Sequence, residues 1–455
     1  MDELVDLTAG ETPATASFGR HDQSPDEGPV RAELLPLTAR VRADGSLAVG
    51  GVDLLELAER YGTPLFVYDE EHLRARCREA VAAWGEGVAY ATKAFLCLAM
   101  ARLVQEEGLW LDVSTGGELH VALAAGVPPA RLVLHGNNKS EDELARALDA
   151  GVGRVVVDSF DEIARLARLV ASPAPPDVRR RPAVMVRVTP GVEAHTHDFV
   201  RTGQEDSKFG FGLASGAAAE AVARLRAVPG LDVVGIHAHI GSQVFRVDSF
   251  AEEVEVLAAF FAPLALPELC VGGGLGVAYV ARETAPSISQ WAETVHAACR
   301  RAGIPAGTVI TAEPGRSIAA GAAITLYRVG TIKELPGIRT YVAVDGGMSD
   351  NPRPVLYGSG YETFLPREAD APRPSAVRVV GKHCESGDVV AADARLPADV
   401  GVGDIVATPV TGAYGYSMAS NYNKVPRPAV VFVRDGDARV VVRRETEDDL
   451  TRLDG

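Results

Sequence analysis

Between Leu65 and Gly315 the chain repeats one pattern: a short apolar run halts at glycine or at a chemically capable side chain, and in most cases a stretch with helical spacing follows. The runs 88–93, 109–114, 132–136, 155–159, 184–189, 233–241, 268–273 and 309–313 close on Lys93, Ser114, His135, Asp158, Thr189, His239, the Gly272-Gly273-Gly274 triplet and Glu313. Alternating strands and helices imply a parallel sheet, and eight such units close a (β/α)8 TIM-type barrel. Residues at strand C-termini then meet at one mouth, where barrels keep their chemistry. The run 65–69 reads as a lead-in to this barrel. Before it, Leu54, Leu55, Leu57, Ala58 and Tyr61 have helical spacing, with Asp53 as cap and Gly62-Thr63-Pro64 as stop. Ser140 and Glu143 form a capping box for the helix that ends near Gly151.

After about residue 322 the rhythm changes. Segments 324–334, 340–344, 377–381, 404–409 and 429–444 read as strands without intervening helices, and Asp435-Gly436 signals a hairpin. This predicts a C-terminal β-barrel or β-sandwich domain over 323–455. Residues 33–52, with a turn at Asp44-Gly45, read as an N-terminal strand packing on that domain, and 53–322 as the barrel. Residues 1–32 are rich in Asp, Glu, Thr, Pro and Ser without a sustained period and read as a flexible extension. The Pro- and Arg-rich segment 173–182 reads as a surface connection.

At 455 residues the chain has room for a barrel and a second domain. A net charge of −16 argues against a nucleic-acid or anionic-membrane partner, so an anionic ligand would need a local cluster of amides and arginines. No apolar stretch reaches membrane-spanning length, and no basic flank followed by an apolar segment marks a secretory signal. The five cysteines (Cys77, Cys97, Cys270, Cys299, Cys384) are dispersed, without CxxC or zinc spacing. They read as reduced thiols of a cytoplasmic protein, with no metal site.

Lys93 lies in YATKAF, among apolar neighbours at a strand end. It is either a lysine escaping to solvent or an amine whose pKa is lowered for attack on an aldehyde. A phosphate site on the same rim favours the second reading. Gly272-Gly273-Gly274-Leu275-Gly276 would place unobstructed backbone N–H groups beside an anion. Glu313-Pro314-Gly315-Arg316 adds an amide and a guanidinium, and Ser242 a hydroxyl. One lysine with one phosphate cradle points to pyridoxal 5'-phosphate.

The motifs YATKAF, HIGSQ, GGGLG, EPGR, DNPRPVLYG, CESGD and GAYGYSMASNYN occur in that order between Leu35 and the C-terminus. In this the chain resembles the diaminopimelate decarboxylases, among the barrel-fold pyridoxal-phosphate decarboxylases that also act on ornithine and arginine. The resemblance implies decarboxylation of meso-diaminopimelate to L-lysine, the last step of lysine biosynthesis. It implies that Lys93 holds the cofactor covalently, His239 stacks on its ring, and Glu313 pairs with the ring nitrogen. Ser242, Gly273, Gly274, Gly315, Arg316 and Tyr414 would complete the cofactor site. Cys384 would return the proton to the α-carbon from a partner subunit, which implies a homodimer with shared sites.

Arg316, Arg353, Tyr357, Glu385 and Tyr414 would bind substrate. The chemistry agrees: diaminopimelate has a distal amino-acid head, whose carboxylate suits arginine and whose ammonium suits glutamate. A decarboxylase of ornithine, arginine or a carboxylated polyamine would not need Arg353 paired with Glu385. A racemase of this fold would place arginine, not Glu313, at the ring nitrogen. A non-catalytic cofactor-binding regulator would have no need of Lys93, Glu313 and Cys384 together. Arg187 reads as a neighbour of Glu313 or as a plain surface ion pair. Two departures from the family pattern are the extension 1–32 and Thr189, where asparagine is common.

Overall fold

The computed structural model describes residues 27–172, 182–192 and 206–455. Eight parallel strands follow one another in space as in sequence: Ala89–Ala91, Trp110–Val113, Leu132–Leu134, Arg154–Val157, Ala183–Thr189, Asp232–Ala238, Glu268–Cys270 and Val309–Thr311. The ring closes where Ala89 N–H donates to Ala312 O at 3.0 Å and Ala91 N–H donates to Pro314 O at 3.1 Å. The barrel and its eight strands are therefore present as expected.

Strand alternation sorts the barrel interior into layers. Ala89, Val133, Val156 and Met185 belong to one buried apolar cluster with Cys270. Two residues further along stand Ala91 and Arg187 on their strands and His135 and Asp158 just past the ends of theirs, because side chains two apart share a strand face. The lower layer is packing and the upper layer is chemistry, a division set by register alone.

Helices Leu98–Glu106, Gly116–Ala124, Glu141–Ala150, Phe160–Ala171, Ala217–Arg226, Asp248–Phe261 and Ile288–Arg301 surround the strands. The expected caps are present: Asp53 accepts from Leu55 and Glu56 N–H, and Ser140 with Glu143 closes the capping box. Between the last barrel strand and the C-terminal sheet lie only helix Arg316–Ala319 and a 3-10 turn. The ring is completed instead by helix Glu70–Trp84, which precedes the first barrel strand and packs on Ile288–Arg301 through Trp84 and Trp291, ring centroids 4.7 Å apart.

The run 65–69 is not a barrel lead-in of its own sheet. Leu65–Asp69 pairs antiparallel with Ala323–Leu335 and parallel with Ala429–Arg434, inside the C-terminal sheet. All five residues are buried, so the run lacks the alternation that would have separated it from a barrel strand. The 13-residue strand Ala323–Leu335 spans the domain, pairing also with Ile405–Pro409 and Arg339–Val344. Ser375–Val380 and Val389–Leu396 extend the sheet, the second being a strand the sequence pattern did not disclose. The hairpin Ala429–Arg434/Asp437–Val442 turns at Asp435 and Gly436, both at positive φ.

Residues 33–52 hold three short strands where one was expected. Arg40–Val41, Leu47–Val49 and Val52–Asp53 form a separate three-stranded sheet rather than joining the large one. It contacts the β domain through Ala369 N–H to Gly45 O at 3.1 Å and Gly436 N–H to Gly50 O at 2.7 Å. The end of the expected flexible extension is held as well. Arg373, 1% exposed, donates its backbone N–H to Glu27 O at 2.7 Å and Nε to Gly28 O at 2.8 Å. Residues 1–26 and most of the Pro/Arg-rich connection lie outside the described residues.

Candidate active site

A cavity of about 360 Å³ opens at the C-terminal ends of the barrel strands. Lys93, His239, Ser242, Gly273 and Gly274 line it, and Glu313, Gly315, Arg316 and Tyr414 complete the wall. Residues more than 300 positions apart thus share one pocket. A larger groove of about 810 Å³ lies between the N-terminal segment and residues 276–290, and none of the nine residues just named lines it.

The cavity floor is organised around Glu313. One carboxylate oxygen lies 2.8 Å from His135 Nε2 and the other 2.9 Å from His237 Nε2. Burial would raise this acid, but the two imidazoles overcome it and hold Glu313 well below the ordinary carboxylate range. Burial likewise works against a charge on His135, yet Asp112 and Glu313 outweigh it and raise its pKa. His237 goes the other way, lowered to about 4 chiefly by burial. The two imidazoles on one carboxylate are thus pushed in opposite directions, His135 toward its charged form and His237 toward its neutral one. Three such ligand atoms within 4.8 Å of one another could also hold a metal ion, but here each Nε2 is hydrogen-bonded to a different oxygen of the carboxylate.

His135 and His237 were not assigned by sequence reasoning. The signal was available, since His237 lies two residues before His239 at the end of one apolar run, a spacing that puts both toward the same interior. Arg187 is buried rather than on the surface, lines the cavity, and faces Asp158 at 3.7 Å. Thr189 uses its hydroxyl locally, donating to Phe209 O at 2.7 Å.

His239 takes Gly273 N–H on Nδ1 at 3.2 Å, and burial, with Lys93 and Arg187 nearby, keeps its pKa well below the usual value. Its ring is therefore neutral, suited to lie against a flat aromatic ligand. On the glycine rim, a Cβ at Gly273 would stand 2.2 Å from Glu313 O, and one at Gly274 would stand 2.0 Å from Gly241 O. Only glycine permits that close approach. Arg316 donates Nη2 to Ser242 Oγ at 2.7 Å and Nη1 to Tyr279 OH at 2.7 Å, while its buried Nε has no partner among the described residues. Lys93 makes no hydrogen bond or ion pair among the described residues and projects into the cavity. A free amine, a glycine rim and a guanidinium with a spare donor fit an aldehyde that carries a phosphate.

Four expected site residues do not line the cavity. Cys384 and Glu385 are exposed on the turn after Gly381, where Cys384 N–H donates to Asn423 Oδ1 at 2.9 Å. Arg353 is buried at the start of helix Arg353–Tyr357 and donates Nη1 to Tyr361 OH at 2.6 Å. Tyr357 ends that helix half-buried.

The pyridoxal binding domain of the pyridoxal-dependent decarboxylases matches residues 70–320, from the helix that completes the ring to the turn after the phosphate-type cradle. Fold and site together thus define a barrel-type pyridoxal-dependent decarboxylase. The chain is 49% identical over 433 residues to the diaminopimelate decarboxylase of Mycobacterium tuberculosis, covering 90% of this chain and 95% of that one. It is 45% identical over 436 residues to that of Bacillus subtilis, covering 92% and 97%. Among solved structures, diaminopimelate decarboxylase from M. jannaschii superposes with a TM-score of 0.85 at 31% identity, covering 92% of this chain and 98% of that chain. The same enzyme in complex with L-lysine gives 0.82 at 32% identity. The chain belongs to the diaminopimelate decarboxylase family.

Proposed function

We propose that this protein decarboxylates meso-diaminopimelate to L-lysine and carbon dioxide, using pyridoxal phosphate at the barrel mouth. The observation that carries it is the convergence of Lys93, the glycine rim, Arg316 and the Glu313–histidine set on one cavity. Relatives at 49% and 45% identity over nine-tenths of the chain support the substrate assignment.

The roles join local chemistry to what the family resemblance implies. When bound, the cofactor supplies a ring that accepts the electrons left behind as carbon dioxide departs. Lys93 is the amine that holds its aldehyde. Glu313, kept ionised by His135, favours a proton on the ring nitrogen. His239 lies against the ring. Gly273, Gly274, Gly315, Ser242 and Arg316 hold the phosphate, with Tyr414 beside them, its ring 4.7 Å from the guanidinium carbon of Arg316.

Arg353 and Arg316, with Tyr357, grip the distal head, and Glu385 meets its ammonium. Cys384 gives a proton to the α-carbon. Cys384 and Glu385 are exposed on this subunit and away from its own cavity, which supports a homodimer in which each subunit completes its partner's site. No described helix is long and apolar enough to cross a membrane, which accords with a cytoplasmic enzyme. A decarboxylase of ornithine is the rival reading, and the solved lysine/ornithine decarboxylase shares only the fold, at 22% identity.

The deciding assay loads the protein with pyridoxal phosphate and follows carbon dioxide release from diaminopimelate, ornithine and arginine. Diaminopimelate should be decarboxylated at least a hundredfold faster than ornithine, a gap of roughly 3 kcal/mol in transition-state binding. Lys93→Ala should abolish turnover and borohydride labelling. A preference for ornithine, or normal turnover in Lys93→Ala, sinks the reading.

A further inference from the structure

The HIGSQ motif ends in Gln243, to which nothing above gives a role. Its side chain closes a two-point clamp on one residue: Nε2 donates to Val277 O at 2.7 Å, and Oε1 accepts from Val277 N–H at 3.3 Å. The clamp pins the loop that leaves the glycine rim. Further along, Glu283 accepts Tyr279 N–H at 2.7 Å, and Glu362 accepts Ala281 N–H at 3.0 Å. Tyr279 stands among these pins, 3% exposed.

Tyr279 touches two arginines at once. Its hydroxyl accepts from Arg316 Nη1 at 2.7 Å, and its ring centre lies 4.0 Å from the guanidinium carbon of Arg353. Tyr361, whose ring centre is 5.3 Å from that of Tyr279, also holds Arg353 through the 2.6 Å bond to Nη1. Two guanidinium groups brought near each other repel, and the effect grows where water is excluded. A phenol between them offsets this: its oxygen faces one cation and its negative ring face the other. A loop pinned at three points fixes where that phenol stands.

We propose that Tyr279 is a positioning residue that sets Arg353 against Arg316 and so fixes where the distal carboxylate of the substrate is gripped. The proposal rests on the diaminopimelate reading above. It makes specificity for the distal head depend on a residue that need not touch the substrate. L-lysine keeps that distal carboxylate, and cadaverine is the same chain without it.

The test measures competitive binding of L-lysine and of cadaverine to cofactor-loaded wild type, Tyr279→Leu, Tyr279→Phe and Gln243→Ala. Tyr279→Leu should bind L-lysine roughly tenfold more weakly, the loss of one desolvated cation–π contact, with cadaverine unchanged. KM for diaminopimelate should rise by a similar factor while kcat changes less. Tyr279→Phe keeps the ring and should keep lysine binding, and both variants should retain pyridoxal phosphate less tightly on dialysis, because in each Arg316 loses a partner. Gln243→Ala should reproduce the selective loss of lysine in milder form, and it decides the matter if Tyr279→Leu does not fold. Equal weakening of both ligands, or no change in either, overturns the proposal while carbon dioxide release by wild type still stands. Absence of that release overturns the reading beneath it as well.

Discussion

His135 Nε2 stands 2.8 Å from Glu313 Oε1 at the floor of the barrel mouth, in a site where both side chains are buried. Burial alone would neutralise both groups. Their neighbours oppose it: Asp112 and then Glu313 raise the pKa of His135, while His135 and His237 hold Glu313 below the ordinary carboxylate range. The carboxylate that faces the cofactor site is thus kept ionised by a residue no motif had marked.

Removing that support has a definite sign. Glu313 has a depressed pKa, so its ionised form is lost only as pH falls through a low value. In His135→Phe the depression weakens and the acid limb of kcat should move to higher pH. Glu313→Gln should lower kcat about a hundredfold or more while the cofactor stays bound. Carbon dioxide release across pH, with an absorbance check of bound cofactor, measures both. An unmoved acid limb in His135→Phe would refute the coupling.

Gly274 is at φ +110°, and an added Cβ would sit 2.0 Å from Gly241 O. Gly274→Ala should therefore cost about 2–4 kcal/mol in stability or distort the rim. Either way the affinity for pyridoxal phosphate should fall, read by fluorescence titration. Unchanged melting and unchanged affinity together would show the rim is not a tight cradle.

Mixing subunits tests the shared site. If the protein is the proposed homodimer, Lys93→Ala and Cys384→Ala should each be nearly inactive alone. Unfolded together and refolded, random pairing makes about half the dimers hybrid, each with one intact site, so activity should recover to roughly a quarter of wild type. No recovery despite hybrid formation would place Cys384 in its own subunit's site or outside catalysis.

Glu253 offers a stability prediction away from the site. It is fully buried on helix Asp248–Phe261, and neither carboxylate oxygen has a hydrogen-bond partner among the described residues. Desolvation raises its pKa well above the ordinary value, so the folded state holds a proton the unfolded state gives up above about pH 4.5. Stability from this group is therefore lost as pH rises above that point. Glu253→Leu should be more stable than wild type by about 1–3 kcal/mol at neutral pH, with the gap narrowing toward pH 4. Urea denaturation at pH 5, 7 and 8 would show it, and a gap independent of pH would contradict the assignment.

Much of the site could be read from the chain because catalytic barrels put function at strand ends. Lys93, His239 and Glu313 each close an apolar run, and the glycine triplet and Arg316 have no simple packing role at such positions. His135 also closes a run, but nothing local distinguishes a histidine that supports a carboxylate from one that fills a core. Tyr279 lies in a loop, where no periodicity exists to mark it.

Sequence by itself determined the eightfold strand–helix rhythm and the placing of Lys93, His239, the glycine triplet and Glu313 at the ends of apolar runs. These follow from local spacing, since a period of two or of 3.6 assigns faces without knowledge of partners. Tertiary structure decided that Leu65–Asp69 belongs to the C-terminal sheet, that the helix after it completes the barrel, and that Tyr279 lies between two arginines. Each of these is a choice among partners equally open to a fully apolar strand or an irregular loop. Pairing energy between distant segments makes that choice, and local pattern carries no record of it.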